Sequence, residues 1–150
     1  MPNAYTCLNY HVIFSTKQRY PWLETQYRER LFAFMGGIVR DLRGRLLAAG
    51  GMPDHIHLLA SLHPSTSLSD VLRQVKSSSS AWIHTTWPEL RKFAWQDGYA
   101  AFTASRSALD DVQAYVARQE EHHQRVSFQE ELREFLCRHG VEFDQRYVCG

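Results

Sequence analysis

Apolar residues follow two different spacings along this chain, and each spacing predicts a different element. Over residues 6–16 they alternate with polar residues, which predicts a β-strand because successive strand side chains point to opposite faces. Over residues 24–42 they recur every three or four positions, as they do on one face of a helix. Gly44 follows, and a glycine in that position commonly ends a helix.

The middle of the chain predicts a hairpin and a second helix. Residues 45–52 and 54–62 predict the second and third strands, because the glycines and Pro53 between them favour a turn. Ser67 is suited to cap the second helix, in which the apolar spacing continues to Ile83.

A fourth strand and a third helix follow. Residues 93–105 are rich in types that favour strands, and Gly98 predicts a bend within them. Ser107 is the expected N-cap of the third helix, whose helical spacing continues to Gln119 before the helix frays over residues 120–123.

The order of the elements indicates the fold class. Residues 127–139 predict a last amphipathic helix, and residues 140–150 a tail. The order β-α-β-β-α-β is typical of an α+β fold of the ferredoxin-like or RRM-like kind, a four-stranded antiparallel sheet with helices on one face. Here C-terminal helices, one of which carries Tyr115, extend it, and strands one and three are central neighbours. We expect one domain over residues 1–150, because this length is typical of a single domain.

Composition and charge narrow the classes of function. A hydrophobic content of 44%, no apolar run long enough to span a membrane and no signal-peptide pattern predict a cytoplasmic protein. The three cysteines form no CxxC pair, which argues against a disulfide framework or a zinc knuckle. Residues 1–106 carry 12 Lys/Arg against 7 Asp/Glu, whereas residues 107–150 carry 5 against 9. The basic N-terminal part predicts a face for nucleic acid.

Candidate chemistry centres on two histidines in the third predicted strand. His55 and His57 emerge from one face of that strand, and two imidazoles on a rigid strand make half of a metal site. Tyr115 and Gln119 are four residues apart and therefore share a helix face. A carboxamide oxygen can join two imidazoles on Mg²⁺ or Mn²⁺, and a phenol can attack a phosphodiester whose charge such an ion neutralises.

These motifs, in this order, carry a resemblance to a known family. The stretch His55-Ile56-His57 follows Met52-Pro53-Asp54, and Tyr115-Val116-Ala117-Arg118-Gln119 comes about sixty residues later. The chain resembles, over roughly residues 4–148, the single-tyrosine HUH transposases of the IS200/IS605 type, which include the REP-associated tyrosine transposases.

The resemblance implies a role for each matching residue. His55, His57 and Gln119 are the implied ligands of Mg²⁺ or Mn²⁺, and Tyr115 is the implied nucleophile. The implied substrate is single-stranded DNA that is recognised through hairpins and is cleaved and rejoined through a 5′-phosphotyrosine. Members of the family usually act as homodimers, and whether the tyrosine acts in cis or in trans stays open.

Charge and placement, apart from the resemblance, predict DNA contacts. Four basic residues are the candidates for phosphate contacts: Lys17, Arg19, Arg73 and Lys76. Of the remaining histidines, His122 and His123 are expected to cap the end of their helix, and a metal role is the alternative for His122. The others have no partner pattern and are expected to be structural or exposed: His11, His63, His84 and His139.

Three other functions compete with this interpretation. A histidine-triad hydrolase would need a third histidine where Leu59 stands, and a two-histidine phosphoesterase would need two His-x-Thr/Ser motifs where only His84 begins one. A metal-free module that binds single-stranded nucleic acid on the same fold stays open, because Tyr10 and Phe14 in strand one are possible stacking residues.

Overall fold

The computed structural model describes residues 4–144, and it consists of one sheet with helices on both faces. The strands are β1 (Asn9–Ser15), β2 (Arg45–Met52), β3 (His55–Ser61) and β4 (Ala100–Thr103). The helices are α1 (Thr25–Asp41), α2 (Leu68–Thr86), α3 (Leu109–Ala117), α4 (Gln119–His122) and α5 (Phe128–Arg138).

The sheet has the strand order β2-β3-β1-β4, and every pairing between neighbouring strands is antiparallel. β1 and β3 are the central pair, as the element order predicts. In their register Ser15 pairs with His55 and Ile13 pairs with His57. The predicted α+β fold class and the mid-sheet position of the two histidines are therefore confirmed.

The first face of the sheet packs against α1 and α2. Ile56 and Leu58 point to this side, where they are fully buried with Met35 of α1 and Val75 of α2. The apolar stripes of the two helices cover these strand residues, and this burial is the main stabilising contribution to the fold.

The second face, which carries His55 and His57, is covered by the C-terminal helices. Leu136 of α5 packs on Ile13 of β1, and Val116 of α3 packs on Leu59 of β3. The ferredoxin-like prediction accounts for helices on one face only. The apolar strand residues that share the histidine face explain why α3 and α5 lie across it, and the histidines are buried as a result.

Two local predictions need correction. Arg43, and not Gly44, adopts the left-handed conformation after α1, with a φ of 67°. A Cβ on Gly44 would lie 2.7 Å from the Ser61 carbonyl oxygen, so the glycine is needed for close approach between chain segments. Ser107 does not cap α3: it lies in a 3₁₀ turn, its hydroxyl contacts Ser105, and Ala108 occupies the N-cap position.

The fourth strand and the third helix are shorter than the apolar pattern predicts. β4 forms only four residues of the predicted strand, because the bend at Gly98, with a φ of 83°, interrupts the pairing. Trp95 still forms an isolated bridge with Thr16. The third helix is interrupted at Arg118, which separates α3 from α4.

Two further predictions concern membranes and the chain ends. Within residues 4–144, none of the helices combines the length and the apolar character that crossing a membrane requires. The first three residues of the predicted domain and residues 145–150 of the predicted tail lie outside the described residues.

A candidate metal and tyrosine site

The two histidines of β3 are buried, and hydrogen bonds on their Nδ1 side orient both rings. His55 and His57 are 1% and 0% exposed. The His55 Nδ1 atom lies 2.8 Å from the Asp54 carboxylate, to which it donates. The His57 Nδ1 atom lies 2.7 Å from His11 Nε2. Both Nε2 atoms are therefore directed away from these supports, into the space below α4 and α5.

His11 of β1 supports His57 from the neighbouring strand. It is buried on the same face of the sheet, and its ring stacks on that of His57. Burial, followed by the proximity of His57, lowers the pKa of His11 to about 3. Burial also lowers the pKa of His57 to about 4, although Glu131 opposes the shift. Both rings are therefore neutral at pH 7, which is the form that can bind a metal ion.

Gln119 reaches the same site from the start of α4. Its side chain is 1% exposed, and its Nε2 atom donates to the Tyr115 carbonyl oxygen over 3.0 Å. The amide is thus oriented with its oxygen towards the histidines, and Oε1 lies 3.1 Å from His123 Nε2. The Gln119 oxygen thus lies beside His123, whose Nε2 atom in turn contacts His55 Nε2.

His123 also belongs to the site, although the sequence did not predict this residue as a member. It does follow the last residue of α4, as expected for a cap, but its ring faces the sheet. Nδ1 donates to the Val126 carbonyl oxygen over 2.7 Å, and Nε2 lies 3.0 Å from His55 Nε2. His122 also faces inwards, with its Nε2 atom 3.1 Å from the Tyr115 hydroxyl. His122 and His123 thus stand at the end of α4, as predicted, while their side chains also face the candidate site.

Glu131 of α5 is the second residue that the sequence prediction missed. It is 1% exposed, and its Oε1 atom lies 2.9 Å from His57 Nε2 and 3.2 Å from His123 Nε2. Burial alone would raise the pKa of Glu131, but hydrogen bonds from His123 and His57 outweigh it and hold the pKa far below its usual range. The carboxylate is therefore ionised inside the protein.

The nitrogen and oxygen atoms of this cluster have the spacing of ligands around one ion. One donor atom from each of four residues lies within 4.8 Å of all the others: His55, His57, His123 and Glu131. Neighbouring ligands about 2.1 Å from an octahedral ion are about 3.0 Å apart, and the contacts above run from 2.9 to 3.2 Å.

Hydrogen bonding gives an independent reason for a cation at this position. His55 and His123 each donate through Nδ1 to an oxygen atom, so their Nε2 atoms carry lone pairs when the rings are neutral. Two lone pairs at 3.0 Å from each other, beside a carboxylate, repel one another unless a cation or an additional proton lies between them. The donor set therefore fits a divalent ion.

Tyr115 places its hydroxyl at the edge of this cluster. The half-buried side chain donates to Glu131 Oε2, and its ring centroid lies 5.9 Å from that of His57. Burial, followed by the hydrogen bond to Glu131, raises the pKa of the phenol well above its usual value. The phenol is thus protonated, and it lies beside the histidines of its own chain.

One of the predicted DNA contacts, Arg19, lies close to the site. Lys17 and Arg19 belong to a 3₁₀ turn that follows β1. The Arg19 guanidinium lies 5.6 Å from the centroid of the Phe128 ring, and Phe128 in turn stacks on His55 at 4.2 Å. A cavity of about 420 Å³ opens beside this turn, and Arg19, Tyr99 and Phe128 help to line it.

The other two predicted contacts have partners within the protein. The Lys76 ammonium donates to the carbonyl oxygens of Gln96 and Gly98, each over 2.7 Å, and so stabilises the bend before β4. Arg73 is exposed and forms an ion pair with Asp70 one turn earlier in α2. Gln96 and Gly98 both line the cavity, so the Lys76 ammonium lies beside the cavity as Arg19 does.

The sequence of this chain is similar to those of known transposases. A sequence model of the family described as "Transposase IS200 like" matches residues 4–119. The ISDra2 transposase TnpA of Deinococcus radiodurans is 26% identical over 117 residues, which cover 75% of this chain and 84% of that protein. The transposase for insertion sequence element IS200 of Salmonella typhimurium is 30% identical over 120 residues, which cover 73% of this chain and 75% of that protein.

Solved structures have the same fold. A crystal structure of a Deinococcus radiodurans R1 protein described as a transposase superimposes with a TM-score of 0.66 at 25% identity, over 77% of this chain and 93% of that one. A REP-associated tyrosine transposase bound to a REP hairpin superimposes with a TM-score of 0.61 at 17% identity, over 84% of this chain and 74% of that one. The family match ends at Gln119, so α5 and Glu131 lie beyond it.

Proposed function

The chain belongs to the IS200-like transposase family, and on this premise we propose that it cleaves and rejoins single-stranded DNA with Tyr115 as its nucleophile. Family membership makes it a DNA-processing enzyme of the transposase type. The observation that carries the finer proposal is the contact of the Tyr115 hydroxyl with a buried carboxylate that also contacts His57. A phenol at the edge of a cluster with the spacing of metal ligands suits attack on a phosphodiester.

The proposed ligands of the ion are His55, His57 and Gln119, and the ion is Mg²⁺ or Mn²⁺. The neutral state of His57 and the orientation of the Gln119 oxygen support this assignment. When bound, the ion polarises the phosphate and neutralises its charge. The protein's own contribution is to hold the ligands and the phenol in a site from which most water is excluded.

The proposed cleavage exchanges one phosphodiester bond for another. The Tyr115 oxygen forms a bond to phosphorus, the bond from phosphorus to the 3′ oxygen of the preceding sugar breaks, and the phenolic proton is balanced by the new 3′ hydroxyl. The protein stays attached to the 5′ side of the cut. Because the phosphotyrosine retains the bond energy, attack by another 3′ hydroxyl rejoins the strand without any added energy source.

We propose that the DNA approaches along the basic turn after β1. Arg19 over Phe128, and Phe128 against His55, form a continuous path from the cavity to the histidines. Arginine and aromatic side chains are suited to single strands, since they bind phosphates and stack on bases. We propose a hairpin-bearing strand as the substrate, on the basis of the family and of the relative bound to a REP hairpin. Such a substrate agrees with the predicted cytoplasmic location.

We further propose that the tyrosine acts in cis. Tyr115 contacts Glu131 of its own chain, and Glu131 contacts His57, so a site can be completed within one chain. A homodimer, which the family resemblance implies, is then not needed to supply the nucleophile. We retain it as the proposed assembly.

The metal-free binding module is the less well supported function. Phe14, one of its two candidate stacking residues, is buried and packs against Trp95 at 4.8 Å. The α3 and α5 helices also cover the sheet face on which the buried histidines lie. Such a module needs exposed aromatic side chains on which bases can stack, and the buried Phe14 does not provide one.

Cleavage of a labelled hairpin-bearing oligonucleotide tests the proposal. We expect cleavage with Mg²⁺ or Mn²⁺, no cleavage with EDTA, and loss of both metal binding and cleavage in His57→Ala. His63→Ala is the matched control, because His63 contacts Ser65 in a loop outside the site and its loss should change neither property. Equal cleavage with and without EDTA would contradict the metal-dependent function.

A further inference from the structure

We infer that Glu131, delivered by α5, is an anionic ligand of the divalent-ion site and positions Tyr115 beside that site. This inference rests on the proposed function only in taking the histidine cluster to hold a divalent ion. The ligands that the family resemblance implies, His55, His57 and Gln119, all lie within the matched region, whereas Glu131 lies beyond it. The inference therefore concerns a residue that the family match does not cover.

The first argument is geometric. Glu131 Oε1 lies 2.9 Å from His57 Nε2 and 3.7 Å from His55 Nε2, so one oxygen faces both histidines of β3. It also lies 3.2 Å from His123 Nε2. An oxygen that approaches three ring nitrogens, two of which carry lone pairs when neutral, occupies the position of a ligand around a shared cation.

The second argument concerns charge. A carboxylate with 1% exposure is costly to bury in its charged form unless a positive charge compensates it. The nitrogens that face Glu131 Oε1 belong to His55, His57 and His123, and an imidazole that binds a metal ion is uncharged, so it does not supply that charge. A divalent ion among the same nitrogens would provide it, and a carboxylate oxygen is a ligand that Mg²⁺ and Mn²⁺ prefer to nitrogen.

The third argument is the position of α5, which holds the carboxylate firmly. Ser127 caps the helix by accepting a hydrogen bond from the Glu130 amide. Phe128 stacks on His55, and Leu136 is buried against the sheet. Glu131 lies between these two contacts on the helix face that packs on the sheet. Its position is therefore determined by apolar packing on both sides.

The two carboxylate oxygens of Glu131 have different partners. Glu131 therefore connects Tyr115, the proposed nucleophile, to the histidine ligands. Oε1 faces the ring nitrogens, while Oε2 accepts the hydrogen bond from the Tyr115 hydroxyl. His122 Nε2, 3.2 Å from Oε2, supports the same side. One carboxylate thus fixes the distance between the phenol and the ion site. Glu131 is in this respect a positioning residue for Tyr115.

A competing role for the same contacts is a lock, in which Glu131 occupies the ion position and keeps Tyr115 inactive. The two roles predict opposite effects of removing the charge. If Glu131 is a ligand, its loss weakens ion binding; if it is a lock, its loss strengthens ion binding and speeds cleavage.

Direct Mn²⁺ titration of the full chain, by calorimetry or by the EPR signal of free Mn²⁺, separates the two roles. For Glu131→Gln, which keeps the size but removes the charge, we expect the Kd for Mn²⁺ to rise about 10- to 100-fold. Glu134→Gln is the matched control, because Glu134 lies on the same helix but is exposed and paired with Arg138. Its Kd should equal that of the unmodified protein.

Circular dichroism of each variant in EDTA establishes that the fold is retained. Should Glu131→Gln fail to fold, Glu131→Asp keeps the charge but shortens the side chain, and we expect the same direction of change. An unchanged or lower Kd for Mn²⁺ in the folded variant would overturn the inference.

A second assay measures formation of the covalent DNA adduct at saturating Mn²⁺. Together with the Mn²⁺ titration, it distinguishes failure of the ligand role of Glu131 from failure of the proposed function. If the unmodified protein forms the adduct and Glu131→Gln binds Mn²⁺ normally, the proposed function stands and the ligand role of Glu131 fails. If no adduct forms but Glu131→Gln binds Mn²⁺ more weakly, the ligand role stands and the proposed function fails.

Discussion

Gly50 of β2 lies directly against the carbonyl oxygen of Val116 in α3, with no space for a side chain between them. A Cβ at position 50 would overlap that backbone oxygen, which a rotamer change cannot move away. The contact therefore sets the height of α3 above the sheet. Since Tyr115 precedes Val116, the same contact sets the height of the phenol above the histidines.

We expect Gly50→Ala to destabilise the protein and to impair the tyrosine chemistry together. Overpacking costs about 1–3 kcal/mol when side chains can adjust, and here backbone must move, so the free energy of unfolding should fall by at least this amount. Denaturant unfolding and adduct formation measure the two effects. Gly36→Ala is the control, because its Cβ would meet only Leu46, at an ordinary 3.7 Å. A Gly50→Ala protein with unchanged stability and adduct yield would contradict the role of this contact.

The buried histidines predict how stability depends on pH in the metal-free protein. The pKa of His57 is lowered to about 4 and that of His11 to about 3, from 6.5 in the unfolded chain. Between about pH 4 and 6.5 the unfolded state therefore binds more protons, and the free energy of unfolding must fall as the pH falls through this window. Thermal unfolding in EDTA at several pH values measures the trend.

His11→Asn isolates one of the two contributions. Asparagine does not titrate. The slope of the free energy of unfolding against pH, measured near pH 5, should therefore decrease by about 1.4 kcal/mol per pH unit. His123 contributes with the opposite sign: burial lowers its pKa, but contacts with Glu131 outweigh this and raise it. Its contribution is present below pH 6.5 and is lost as the pH rises through the folded-state pKa. An unaltered pH dependence in His11→Asn would contradict the burial of a neutral His11.

Arg19 should contribute to DNA binding through phosphate contact and stacking. We expect Arg19→Ala to weaken single-stranded DNA binding and to reduce the slope of log K against log salt by about 0.7 if one phosphate contact is lost. Fluorescence anisotropy across a salt series measures both quantities. Arg40→Ala is the control, because Arg40 is exposed at the end of α1, on the opposite face of the sheet. Equal slopes for the two variants would show that Arg19 does not contact phosphate.

Patterns that depend on near neighbours predicted much of the fold and of the site. Alternation in β3 was sufficient to put His55 and His57 on one face, and the element order was sufficient to place β3 beside β1. The spacing of four between Tyr115 and Gln119 survives the interruption at Arg118, because the Gln119 amide bonds back to the Tyr115 carbonyl oxygen.

Residues whose role depends on distant packing were not predicted. Glu131 follows Phe128 by three positions and precedes Phe135 by four, so a carboxylate lies within the apolar face of α5. That local signal was present in the sequence. Its meaning depends on α5 lying across the histidine face, and periodicity does not specify where an amphipathic helix packs. The orientation of the His123 ring towards the sheet was not predicted for the same reason.

The most direct test of the central claim is the chemical identity of the residue that becomes attached to DNA. The unmodified protein is incubated with hairpin-bearing single-stranded DNA and Mn²⁺, the adduct is digested, and mass spectrometry locates the modified peptide. Tyr115→Phe should abolish the adduct while DNA binding is largely kept, whereas Tyr27→Phe, at a tyrosine that contacts Glu89 on the opposite face of the sheet, should form it normally. We predict a 5′-phosphotyrosine at Tyr115; an adduct on another residue, or one that still forms in Tyr115→Phe, would contradict the proposal.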